Sequence, residues 1–287
     1  MKKNLLLIVF CFTLLFPIFA QGRSATGDLG GALAAMDSAF AALEQEELTS
    51  IDEYYLGRAV TANILAIYRP YTANPNLTRY LNLICQVIAV NSPKPEIFNG
   101  YRVIILDTPE LNAFASPGGH IMITKGLVEA AASEDMLAAV IAHEFAHIML
   151  LNANVVIANM QFHEDMAETA NRAAQLSASN SQQAARAVLF RNSITGLVDT
   201  LIKNGYSHEQ EFEADTAAIM LLAASGYNPR SLIEMLRVMQ QAQGSQTIGF
   251  ASTHPSLELR INSAERTAGR YRVRNTSSSR ASRFFNR

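Results

Sequence analysis

The stretch 133–152, SEDMLAAVIAHEFAHIMLLN, decides the fold. Ser133 supplies a helix N-cap, and Glu134 and Asp135 fall in the first turn, where negative charge complements the helix dipole. The flanks 136–141 and 148–151 are apolar nearly all round, which predicts a buried helix. Within it His143 and His147 stand four apart, so both imidazoles leave one face, with Glu144 about 100° around. Such a trio is costly in a buried helix unless a metal or other partners satisfy it. Zn²⁺ suits the pair, and a catalytic zinc site needs a third protein ligand and an open position for water. Glu144 is placed to take that water's proton.

The third ligand is expected from a second helix, and Glu209, Glu211 and Glu213 in the stretch 208–215, HEQEFEAD, all compete for the role. Glu211 and Asp215 are four apart and share a face with Ala218, whereas Glu213 lies well round from it. On that face Glu211 can bind a metal while Asp215 accepts an imidazole N–H and fixes the tautomer of a ligating histidine. A solvated acidic face accounts for Glu209 and Glu213. It does not account for two acids among alanines on the inward side.

Working outward, apolar residues recur at three- and four-residue spacing over 28–48, 51–68 and 74–90, predicting three helices before the run Asn91-Ser92-Pro93-Lys94-Pro95. The texture then becomes strand-like at 101–106, 111–115 and 120–124, with Ser116-Pro117-Gly118-Gly119 marking a hairpin turn. Further helices are expected at 208–225 and 229–243, and 154–204 reads as an inserted helical hairpin. The predicted fold is α+β and helix-dominated, with a small, mostly antiparallel sheet packed on the histidine-bearing helix.

At the N-terminus Lys2 and Lys3 precede the apolar run 5–16, Pro17 breaks it, and Ala20 offers a cleavage point. This predicts a signal peptide over 1–20, since a spanning helix needs about 20 uninterrupted apolar residues. The chain is then exported, periplasmic or secreted, and soluble or peripherally membrane-associated. Cys11 leaves with the signal and Cys85 remains alone, so no disulfide framework is available. With 49% hydrophobic and 17% charged residues over 287 positions, the chain is neither disordered nor charge-dominated. The Arg/Ser-rich end, 264–287, reads as a disordered tail whose charge can associate with an anionic envelope surface. Nothing reads as a nucleic-acid motif. The main domain is thus expected over 21–263, and the oligomeric state is not legible.

These residues resemble peptidase family M48, the zincin-type metalloproteases that include the CAAX prenyl protease and HtpX, and in particular its soluble periplasmic members. The likeness rests on His143-Glu144-x-x-His147 followed by Glu211-Phe212-Glu213-Ala214-Asp215. It extends to Asn112-Ala113-Phe114-Ala115 with Pro117-Gly118-Gly119, to Thr124-Lys125-Gly126-Leu127, and to Thr253-His254-Pro255-Ser256 with Arg260-Ile261. The resemblance implies one zinc held by His143, His147 and Glu211, with Glu144 as general base and acid and Asp215 supporting the ligands. It places Asn112, Ala113 and Phe114 beside the cleft, where substrate can lie as an added strand. It also puts His254 close to the metal, either stabilising the oxyanion or occupying the open position in a resting form.

The expected function is zinc-dependent hydrolysis of unfolded or extended envelope proteins. The alternative is a zinc-stabilised binding or chaperone-like module, or a latent protease, without turnover. His163 and His208 read as surface residues.

Overall fold

In the computed structural model, which describes residues 50–150, 198, 205–242, 254, 257–272 and 278–286, the HEFAH stretch lies in a helix walled in on several sides. The readings for 1–20, 28–48 and 154–204, and for His163, fall outside the described residues, Val198 aside.

The first two helices are α1 (Ser50–Ile67) and α2 (Pro75–Val90). Asn74 caps α2, its side chain accepting from the Leu77 amide at 3.1 Å, and Pro75 occupies the first turn, where a missing N–H costs nothing. The face Leu81, Ile84, Cys85 and Ile88 is buried. Burial pushes the Cys85 thiol up to about 12, as befits an inert core residue.

Strands β1 (Arg102–Leu106), β2 (Ala113–Ser116) and β3 (His120–Thr124) form one sheet in the order β1-β3-β2. The expected hairpin is present, with β2 antiparallel to β3 and Phe114 opposite Met122. The sheet as a whole is mixed, however, because β1 runs parallel to β3, Val103 beside Ile121. This corrects the mostly antiparallel expectation, and the reason is connectivity: the short link 107–112 reverses the chain, the hairpin reverses it again, and β3 inserts between β1 and β2, so it runs parallel to β1. The link from β1 to β2 therefore crosses the end of β3, where Thr124 Oγ1 accepts from the Asn112 amide (3.0 Å) and donates to the Glu110 carbonyl (2.6 Å). On the outer edge of β1 the Tyr71 amide donates to the Ile105 carbonyl (2.8 Å) and the Asp107 amide to the Arg69 carbonyl (2.7 Å), covering that edge.

The β2–β3 turn uses Gly118 at φ 69°, and a Cβ there would lie 2.3 Å from Tyr54 Cα of α1. Both the left-handed backbone and the close approach require glycine.

After β3, Thr124 caps the short α3 (Lys125–Ala130), and α4 (Glu134–Leu150) follows, with Ser133 Oγ accepting from the Met136 amide at 3.2 Å. Helix α4 is buried from Glu134 to Ile148. It packs against β2, α2, α5 (His208–Ala224) and α6 (Ser231–Ala242). One face of the sheet (Val103, Ile105, Ala113, Ile121, Ile123) joins this main core; the other (Leu106, Phe114, Met122) packs on Val60 and Ile64 of α1. Among the described residues no helix is long and apolar enough to cross a membrane.

The chain's end departs from expectation. Helix α7 (Leu257–Ala268) runs past the anticipated domain boundary, and 278–285 is a helix, α8 (Ser278–Phe285), in place of a disordered stretch. Its arginines meet buried carboxylates at the start of α4, and Phe284 is buried in the main core. Composition marks such a segment as solvated only when its charges lack partners.

Candidate metal centre

Helices α4 and α5 form the site. His143 and His147 project from the C-terminal half of α4, and Glu211 from the first turns of α5. The start of α5 is fixed by a capping box: Ser207 Oγ accepts from the Gln210 amide (3.3 Å), and Gln210 Oε1 accepts from the Ser207 amide (2.9 Å).

His143, His147, Glu211 and His254 bring one ligand atom each to within 4.8 Å of one another, and all four residues are buried. His143 Nε2 lies 3.1 Å from His147 Nε2 and 3.5 Å from Glu211 Oε2. His147 Nε2 lies 3.4 Å from Glu211 Oε1, and His254 Nδ1 2.8 Å from that same oxygen. This donor set, imidazole nitrogens with one carboxylate at tetrahedral count, fits Zn²⁺. His254 thus stands within the donor cluster, close to where both roles expected of it would place it. Its Nε2 is 3.8 Å from Glu144 Oε1.

Asp215 stands where the four-residue spacing puts it. Its Oδ1 is 3.1 Å from His143 Nδ1, leaving Nε2 of that ring for the cluster. Glu209 and Glu213 are exposed, as is His208, so the competition among the glutamates resolves to Glu211.

The carboxylates are driven in opposite directions. Burial raises the Glu144 carboxyl, and the neighbouring His254 and His143 offset this only in part. Burial acts on Glu211 too, but His254 and Arg260 outweigh it and hold that carboxyl well below the usual range. Asp215 is likewise lowered, Arg260 overcoming burial. Glu211 therefore stays ionised while Glu144 is the more basic group, the separation expected of a ligand and a proton acceptor. Both Glu144 oxygens are buried without a hydrogen-bond partner among the described residues. The histidines split as well. Burial lowers His147 to about 3; burial and Arg260 also lower His143, but hydrogen bonds to Asp215 and Glu211 outweigh them and raise it, and a cation held at Nε2 would displace that proton.

The family model for peptidase family M48 matches residues 74–268, more than half of the chain. The chain belongs to peptidase family M48. It is 26% identical over 282 residues to the beta-barrel assembly-enhancing protease of Escherichia coli (strain K12), covering 95% of this chain and 53% of that one. It is 28% identical over 204 residues to the mitochondrial metalloendopeptidase OMA1 of Schizosaccharomyces pombe, covering 70% and 54%. The chain thus spans about half the length of these curated relatives.

Two residues of this M48 site had no role assigned from the sequence: Arg260, quoted only as part of the resemblance, and Tyr206, not singled out at all. Arg260 of α7 is fully buried; its Nε and Nη2 donate to the two oxygens of Asp215 (2.8 and 2.7 Å), and its Nη1 pairs with Glu211 Oε2 at 2.6 Å. The available signal was its place on the buried stripe Leu257, Arg260, Ile261 and Ala264, where an arginine needs acids. Tyr206 stacks on His147, ring centroids 3.7 Å apart and planes within 10°, and joins the apolar cluster around Phe114. Only its place just before the Ser207 cap hinted at this.

Asn112, Ala113 and Phe114 lie on or beside β2 with their side chains buried. Phe114 packs with Val60, Ile64 and Met122, and Asn112 Oδ1 accepts from the Ala113 amide at 2.9 Å. What β2 offers a ligand is therefore its main chain.

Proposed function

We propose that the chain is a zinc-dependent endopeptidase in which His143, His147 and Glu211 hold the metal and Glu144 is the general base and acid. The observation that carries this reading is Glu144 itself: a buried, partner-poor carboxylate of raised basicity beside a convergent donor cluster. Zinc, when bound, supplies a Lewis acid that polarises a carbonyl and brings the ionisation of water near neutrality.

The chain's own residues do the rest. Glu144 accepts the proton of the attacking water and returns it to the leaving amine. Arg260 pairs with both Glu211 and Asp215 and offsets part of their charge, and Asp215 holds His143 by its Nδ1–H. His254, whose Nδ1 lies in the donor cluster, would act as a latch, holding the fourth place beside a bound metal at rest and giving it up to substrate. The substrate lies along the main chain of β2 as an added strand, which supplies affinity without demanding a sequence and suits unfolded or extended proteins.

Envelope proteins are the substrates we assign, on the reading of 1–20 as a signal peptide and the consequent export of the chain. The relatives' names, a protease and a metalloendopeptidase, agree on peptide-bond cleavage. A binding module without turnover is disfavoured by membership of a peptidase family and by the basic Glu144. The test is Glu144→Gln, which retains stoichiometric zinc and loses hydrolysis of unfolded casein. Chelator-sensitive cleavage that survives in this variant would remove Glu144 from the mechanism.

A further inference from the structure

Helices α4 and α5 run antiparallel: the C-terminal half of α4 meets the N-terminal turns of α5 at the metal donors, while the start of α4 meets the end of α5 at the opposite pole. At that second pole the two helices are tied by the C-terminal helix. Arg280 Nη1 donates to Asp135 Oδ1 (2.9 Å) and Nη2 to the Gly226 carbonyl (2.6 Å), and the guanidinium lies over the Tyr227 ring, 4.6 Å from its centroid. Arg283 forms a bidentate pair with Glu134, Nε to Oε2 at 3.1 Å and Nη2 to Oε1 at 2.7 Å. Tyr80 of α2 donates to the same Oε2 at 3.0 Å, and the Asn228 amide to Asp135 Oδ1 at 3.0 Å. Both acids are 1% exposed, so their charges depend on these partners.

We propose that Arg280 and Arg283 are positioning residues of the metal centre, and that α8 is a clasp fixing the tilt of α4 against α5. The inference rests on the reading of His143, His147 and Glu211 as zinc ligands. Asp135 and His143 are eight residues apart, about 12 Å along a helix that moves as a rod, so a tilt of about 2° shifts the imidazole by about 0.4 Å. Metal–ligand distances tolerate about 0.2 Å. Loss of the clasp is therefore felt at the site even though neither arginine touches it. Arg280 carries the larger share, because its guanidinium meets both the start of α4 and the turn after α5, whereas Arg283 meets α4 only.

The experiment uses the full chain carrying Arg280→Ala with Arg283→Ala, and in parallel Arg280→Lys. Amide hydrogen exchange is followed at 134–138 and 221–227, zinc affinity by competition with a chromophoric chelator, and kcat and KM separately at saturating zinc. The double variant is expected to lose protection at both segments and to bind zinc about tenfold more weakly, no more than the low end of what losing a direct partner of a ligating group costs. Its kcat falls while KM holds. Arg280→Lys restores part of the affinity, since an ammonium reaches Asp135 but cannot also span to Gly226. Zinc affinity within twofold of the parent overturns the proposal, whatever hydrogen exchange shows. If the double variant does not fold, Arg283→Ala alone decides, its side chain being the more exposed: exchange and zinc affinity moving together support the clasp, and exchange moving alone overturns it. A parent chain that bound no zinc would sink the proposed function as well, whereas a zinc-binding parent indifferent to both arginines sinks this inference only.

Discussion

Replacing His254 with alanine asks whether the fourth donor is a latch. In the resting arrangement its Nδ1 lies 2.8 Å from Glu211 Oε1, and the residue is 1% exposed. A hydrogen bond to a charged group is worth about 1.5–3 kcal/mol net, so a closed state held by that contact alone leaves about 0.6–7% of molecules open. Because apparent activity scales with the competent fraction, His254→Ala is expected to raise kcat/KM by about 14- to 160-fold. The assay is the initial rate on labelled, unfolded casein far below KM, with zinc content measured on the same preparation. A variant holding stoichiometric zinc but cleaving more slowly than the parent refutes the latch and places His254 at the reacting atoms. One that loses its zinc makes His254 an obligatory ligand, which refutes the latch equally.

Asp215→Asn removes the charge that Arg260 pairs with and replaces one of its two acceptor oxygens with an NH2 donor facing Arg260 or His143, so zinc affinity is expected to fall about 10- to 100-fold by chelator competition. Phe145, fully buried with its ring 4.2 Å from that of Tyr101, is expected to cost about 3–5 kcal/mol on truncation to alanine, read from denaturant midpoints. His120 supplies a pH signature: burial, then Arg102, lowers it to about 4, so the unfolded chain takes up its proton first. Its contribution is intact above the unfolded value near 6.5 and declines as pH falls from there towards 4, by at most about 3 kcal/mol. Urea titrations across that window should therefore show a flatter decline for His120→Gln than for the parent, and parallel curves would contradict the assignment.

How much of this was legible in the sequence follows from the range of each interaction. The histidine pair, Glu144, and the Glu211–Asp215 face are set by helical spacing within a few residues, and the structure brings them together where that spacing puts them. The orientation of β1 was not legible, because a short apolar run carries no sign of direction. It depends on β3 inserting between β1 and β2, a choice of neighbours that no local pattern specifies. Nor was the placement of α8, whose arginines find partners 145 and 149 residues away.

A local reading of Glu134 and Asp135 as charges set against a helix dipole stopped one step short. The same reading made that helix apolar all round, and an acid at its start is then drawn into the core along with its neighbours. Two acids so buried require cations, just as the inward Glu211 and Asp215 require Arg260. The Arg-rich end was the conspicuous reserve of unassigned positive charge in the chain. Matching buried anions to unassigned cations, rather than judging each segment by its own composition, leads from the sequence to both the arginine beneath the candidate metal ligands and the helix that closes the opposite pole.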